Sequence, residues 1–181
     1  MWIFLVTGLV LAVIVAVVFN TLIRKRILTQ EAWSGIDVQL KRRHDLIPNL
    51  VEVVKGYMKY ESGVLERVTE LRSQAANTTA IKEKAALEND ITQAIKKIFA
   101  LVEAYPDLKA SQQFLQLQTN LTAVEDEIQL SRRYYNGTVR DYNIAAETFP
   151  NNIIAGAFGF QKQEFFELET ATDRAVPVAK F

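Results

Sequence analysis

The run from Trp2 to Ile23 holds no charged residue over 22 positions. As a helix rising about 1.5 Å per residue it reaches about 33 Å, enough to cross the hydrocarbon core of a bilayer. The marks of a cleaved signal peptide are missing. Met1-Trp2-Ile3 offers no basic leader, no small-x-small cleavage site precedes the basic triplet, and that triplet, Arg24, Lys25 and Arg26, puts the positive charge after the apolar run. The run therefore reads as a signal anchor, and the basic triplet on its C-terminal flank puts the rest of the chain on the cytoplasmic side. Gly8, Ala12 and Ala16 repeat at every fourth position along the span, a spacing that lets two such helices approach closely.

Beyond the apolar run, about 155 residues remain, enough for one ordinary domain with a sizeable core. The whole 181-residue chain balances 21 Lys and Arg against 21 Asp and Glu; without the triplet, 18 cationic residues face the same 21 acidic ones. A mildly acidic domain disfavours nucleic-acid binding. The chain has no cysteine, which excludes disulfides, thiolate metal sites and lipidated cysteine as a second anchor.

Four prolines punctuate the remainder: Pro48, Pro106, Pro150 and Pro177. From Leu46, apolar or aromatic residues recur at Leu50, Val53, Tyr57, Tyr60, Val64, Val68 and Leu71, in the steps of three and four that an amphipathic helix requires. This pattern predicts one helix to about Ala76, ended by Asn77-Thr78-Thr79. Ile81, Leu87, Ile91, Ile98 and Val102 carry the next stripe, and Pro106 suits the first turn of the helix after it. The longest stripe, Phe114, Leu117, Leu121, Val124, Ile128, Ser131, Tyr135, Val139 and Tyr142, predicts a helix from about residue 107 to 147, about 60 Å long. Only long partners cover such a stripe, and the segments carrying Trp33, Ile36 and Leu40 and starting at Leu46 suit antiparallel packing against it. Pro48 either starts a helix or sits inside one; the favoured reading is a long, bent helix that continues from the span. No run alternates as a strand does. The expected fold is all-α: a transmembrane helix (1–26 with its basic flank), a bundle of long antiparallel helices with coiled-coil character (27–150), and an irregular aromatic tail (151–181). In that tail Gly156 and Gly159 flank Phe158 and Phe160, and Phe165, Phe166 and Phe181 follow; the apolar content implies docking, while Glu164, Glu167 and Glu169 keep it soluble.

Several blocks are more specific than periodicity. Arg42-Arg43-His44-Asp45-Leu46-Ile47-Pro48-Asn49-Leu50-Val51 resembles the LemA family of bacterial inner-membrane proteins, and further blocks agree: Tyr57 with Glu61, Glu103-Ala104-Tyr105-Pro106-Asp107-Leu108, Phe114 with Leu117-Gln118, Glu125, Ile128, Arg132-Arg133-Tyr134-Tyr135-Asn136, Tyr142-Asn143 and Phe149-Pro150. The resemblance runs from the span to the tail. It implies a membrane anchor followed by long antiparallel helices, and its magnetosome-membrane relatives imply a role in membrane organisation. It implies no catalytic residue.

His44 is the only histidine, which removes multi-histidine metal sites. Asp45, three residues before Pro48, reads as a helix cap or surface residue rather than a ligand. Asp45, Glu61, Glu103 and Glu125 invite comparison with carboxylate-bridged di-iron bundles, but those use a Glu-x-x-His pair on each of two helices, and the chain contains none. Arg42, Arg43, Arg72, Arg132, Arg133 and Arg140 supply planar guanidinium forks, so ion pairing inside the bundle is the preferred role of the carboxylates. Tyr57, Tyr60, Tyr135 and Tyr142 fall on apolar stripes and read as packing residues with the hydroxyl at the edge. No nucleophile elbow, Walker loop, dinucleotide fingerprint or zinc-protease motif occurs. The reading is a non-enzymatic scaffold without cofactors, anchored in the bilayer of the bacterial inner membrane, that forms homo-oligomers or organises a partner membrane protein. The rival is an accessory adaptor that presents substrates or a regulator to a membrane protease or other membrane enzyme through the tail from Phe158 to Phe181.

Overall fold

The computed structural model describes residues 1–58 and 62–166. Among them the chain is helical, with no strand: α1 (Trp2–Lys55), α2 (Ser62–Asn77), α3 (Ile81–Val102), α4 (Pro106–Lys109), α5 (Gln112–Glu147) and α6 (Asn151–Ala157). The residues Tyr60, Glu61 and those from 167 on, which include Glu167, Glu169, Pro177 and Phe181, lie outside the described part.

Contacts divide the described chain into two compact units, each built partly from α1 and partly from α5. The first comprises Met1–Lys41 with residues 126–165. Its N-terminal stretch is long and apolar enough to cross a membrane, and every residue from Met1 to Val17 is exposed. A helix apolar on all sides finds no place in water; it needs lipid or another helix around it. Burial begins at Leu22, packed with Ala146 and Ala155, and continues on α1 at Ala32, Ile36 and Leu40. The buried positions of α5 here are Ile128, Arg132, Tyr135, Thr138, Val139, Tyr142, Asn143 and Ala146, the continuation of the stripe expected from the sequence. Trp33 meets Tyr135 edge to face at 5.3 Å. The irregular tail is more ordered locally than its composition implies, because residues 151–157 form α6. That helix closes on Gly159, whose φ of 70° only glycine adopts readily. The Phe160 amide then donates to the Ala155 carbonyl at 2.9 Å and the Gly159 amide to Gly156 at 3.4 Å, a Schellman closure.

The second unit comprises Arg42–Glu125. Its core joins Ile47, Leu50 and Val54 of α1 to Leu65, Val68, Leu71 and Ala75 of α2, to Ile91, Ala94, Ile95, Ile98 and Val102 of α3, to Leu108 of α4, and to Phe114 and Leu121 of α5. Two expected boundaries shift. The helix expected from Leu46 to Ala76 is two helices: α1 stops at Lys55, before Gly56, where helix propensity is lowest short of proline, and the amides of Tyr57 and Met58 fold back onto the Val54 carbonyl. Met58 takes the core position, and Tyr57, expected to pack, is 46 % exposed. The helix expected from residue 107 is likewise interrupted: Pro106 opens α4 at its first position, and α5 begins anew at Gln112.

Pro48 lies inside α1 rather than at a helix start, and Asp45 is therefore an exposed interior residue and not a cap. A proline has no amide hydrogen, so the carbonyl four residues earlier, that of His44, loses its helical partner. Arg72 on α2 replaces it, its Nε donating to the His44 carbonyl at 2.7 Å. An arginine from another helix thus completes the backbone hydrogen bonding that the proline breaks.

Candidate functional site

Two polar constructions gather several of the residues singled out in the sequence, one in each unit. In the Arg42–Glu125 unit, Arg43 is fully buried, and its guanidinium forks between two helices. One terminal nitrogen donates to the Thr92 hydroxyl at 2.7 Å and to the Glu125 carboxylate; the other donates to the Glu88 backbone carbonyl at 3.0 Å and to the Glu88 carboxylate. Thr92 Oγ1 lies 3.1 Å from Glu125 Oε2, and His44 Nε2 lies 2.9 Å from Glu88 Oε1. The expected role for the carboxylates, ion pairing inside the bundle, is what Glu125 performs.

Glu88 is the residue that sequence reading missed. It is fully buried, and it occupies the core-facing register of α3 between Ala85 and Ile91, where Leu87 was expected and is only partly buried. The signal was a carboxylate in phase with an apolar stripe. Burial alone would raise its pKa, but the His44 hydrogen bond and the Arg43 guanidinium outweigh that, and the carboxyl is held below its ordinary value of 4.5. The cluster therefore carries a buried ionised pair whose geometry pins α1, α3 and α5 in register, with His44 closer to it than a surface residue would be.

The other construction lies within the first unit. Beyond α6 the chain runs back along α5 in extended form, and three residues expected from the sequence hold it. Tyr142 Oη donates to the Gln161 carbonyl at 3.0 Å, and Tyr135 Oη to the Glu164 carbonyl at 2.8 Å. Asn143 exchanges two bonds with the Gln163 backbone, donating to its carbonyl at 3.0 Å and accepting from its amide at 2.9 Å. Seven helical residues span about 10.5 Å and three extended ones about 10 Å, so the two tyrosines match the strap without adjustment. Both hydroxyls are thus buried hydrogen-bond donors rather than groups at the edge. Burial pushes Tyr135 up to about 12, with the nearby Glu164 charge adding to it, and raises Tyr142 against the opposing pull of Arg26.

The remaining expected residues are not gathered with either construction. Glu103 is exposed and pairs with Lys109, Tyr105 and Pro106 open α4, and Asn49 is exposed beside Glu52, Gln113 and Asn120 in a shallow groove. Arg42 and Pro150 are exposed, Asn136 is partly buried, and Arg132 is buried. Glu61 lies outside the described residues. Among the described residues no three His, Asp or Glu side chains converge as a metal site would require. The polar atoms of both constructions are largely spent on one another or on backbone, which is the chemistry of clamps.

Residues 32–181 match the model of the LemA family. A relative named Protein LemA, from Metamycoplasma hominis, is 32 % identical over 137 residues, covering 75 % of this chain; the chain spans 63 % of that relative's length. Magnetosome protein MamQ 2 of Paramagnetospirillum magneticum is 24 % identical over 184 residues, covering 87 % of this chain and 68 % of its own. Magnetosome protein MamQ of Magnetospirillum gryphiswaldense is 24 % identical over 173 residues, covering 81 % and 64 % respectively.

Proposed function

This chain belongs to the LemA family, and from that premise we propose that it is a non-enzymatic scaffold of the bacterial inner membrane, single-pass with its helical part in the cytoplasm, which assembles with copies of itself. The observation that carries assembly is a row of apolar side chains left exposed on α5: Leu130, Tyr134 and Ile144. With Gly137 these fall within one narrow arc of the helix, since steps of four, three and seven residues return to the same side. Polar Asp141 shares the arc, and its carboxylate is held by neighbouring Arg140. In the span, a side chain added at Gly8 would meet nothing within 4 Å beyond its own helix, so the small-residue face with Ala12 and Ala16 is open for another helix. The two faces together suit a second copy, held in the same bilayer and therefore at high effective concentration. The magnetosome names of two relatives agree with a role in organising membrane.

The native chain has no cysteine, so single cysteines report contacts without background. In native membranes, Tyr134→Cys is expected to crosslink to a second copy, while Gln129→Cys, exposed on the same helix but about 140° around it from Tyr134, does not. Equal, trace crosslinking at both sites would remove the α5 face as the assembly surface. Capture instead of a different membrane protein would favour the adaptor.

A further inference from the structure

We propose that residues 148–161, the turn and short helix between α5 and the strap, dip into the apolar side of the bilayer interface beside the span as a second membrane contact. The inference rests on the reading of Trp2–Ile23 as the membrane span. All the residues involved belong to the first unit.

Three observations point the same way. The first is charge: from Thr148 to Gln161 there is no Asp, Glu, Lys or Arg, and the flanking Glu147 and Lys162 pair with each other at 2.8 Å. The charge-free excursion thus leaves and returns at one charged line. The second is depth. Phe19, inside the charge-free run, meets Phe158 edge to face at 5.0 Å and Phe160 at 5.6 Å, and Leu22 is buried by Ala146 and Ala155. Phe19 lies five residues before the basic triplet, about 7.5 Å along the helix, which matches the about 5–10 Å that interfacial helices sink below the headgroups. The Arg26 guanidinium lies 5.4 Å from the centre of the Phe160 ring, which puts a cation where phosphates would be and an aromatic ring beneath it. The third is exposure. Phe149 is 75 % exposed, Ile153 63 % and Phe158 57 %. Single exposed apolar residues are ordinary, but these three occur within ten positions, on a segment already in contact with the span.

The bilayer is the occupant favoured, because the patch meets the charge-free run at Phe19 and Leu22 and needs no further partner to be covered. The Schellman closure at Gly159 turns the chain so that Phe160 reaches Phe19 and Arg26 while α6 keeps its exposed side outward.

The test uses the full chain in phospholipid vesicles, with spin labels on single cysteines at Ile153→Cys and Ala157→Cys, both exposed on α6. Val10→Cys serves as the reference within the span, and Gln129→Cys, exposed on α5, as the aqueous reference. Collisions with oxygen, which concentrates in lipid, are compared with collisions with a water-soluble nickel complex. The expected result is a several-fold higher oxygen-to-nickel ratio at 153 and 157 than at 129, shallower than at 10. Water-like values at 153 and 157 with a deep label at 10 overturn the second contact and leave the anchor intact. Shielding of 153 and 157 from both reagents assigns the patch to a protein contact and also overturns it. A water-like label at 10 removes the anchor, and this inference with it.

Discussion

Arg43 shows how much one side chain can hold. Its guanidinium is buried between Glu88 and Glu125 and satisfies a backbone carbonyl and a threonine as well. Removing it leaves Glu88 buried with His44 as its remaining side-chain partner, so Arg43→Met is expected to lower unfolding stability by about 3–5 kcal/mol. Because an apolar pair of similar volume can replace a buried ion pair at little cost, Arg43→Met with Glu88→Leu should recover most of the loss. Chemical unfolding of both variants decides it; equal stability of Arg43→Met and the parent would mean that the cluster contributes nothing. The Glu88 carboxyl is held below its ordinary 4.5, so its ionised form favours the folded state. That contribution is present above 4.5 and is lost as pH falls through the lower folded value. Acid titration of the melting temperature should therefore be flatter for Glu88→Gln than for the parent. The sequence offered Arg43 and Glu125 as partners, because arginine and glutamate in a helical chain invite pairing. It concealed Glu88, because the stripe of α3 is equally well drawn through its neighbour Leu87, and only packing decides which of two adjacent residues points inward.

At the scale of an element, α1 and α2 are coupled through a broken hydrogen bond. Pro48 deprives the His44 carbonyl of its partner, and Arg72 supplies one at 2.7 Å. Arg72→Met should cost about 1–3 kcal/mol, the usual penalty for orphaning a buried polar group. In a Pro48→Ala background the alanine amide can reach His44, and the same Arg72→Met change should then cost much less. A double-mutant cycle measures this as a coupling of about 1 kcal/mol or more, and additive losses would contradict the account. The helices themselves were largely legible: α2 ends at Asn77, α3 starts at Ile81 and α5 ends at Glu147, where the polar break after Ala76 and the apolar periodicity put them. Where the expectation failed at Lys55, the apolar spacing continues in phase across a turn, so periodicity alone does not register the break; before Gln112 the stripe begins only at Phe114, so periodicity does not fix where α5 starts. Gly56 was the local signal for the first. The strap was hidden for another reason, since Tyr135, Tyr142 and Asn143 bind backbone carbonyls and an amide, which carry no residue identity to read.

For the whole molecule, the exposed apolar stretch Met1–Val17, the two polar clamps and the family membership support a membrane-held helical protein whose internal polar groups serve structure. Function on this account lies in surfaces: the small-residue face of the span, the Leu130–Tyr134–Ile144 row, and the charge-free segment beside Phe19. Reading these from sequence alone was possible for the span, where composition suffices. For the α5 row it was possible only in part: the stripe through Tyr135 leaves Tyr134 off the core-facing side, as the structure has it, but spacing does not say whether another surface covers an exposed residue. The most direct measurement is the mass of the full-length protein, extracted gently in mild detergent, by light scattering with the detergent contribution subtracted. A discrete multimer that falls to the monomer mass on Tyr134→Glu with Ile144→Glu is the predicted result, and a clean monomer for the unaltered chain would contradict it.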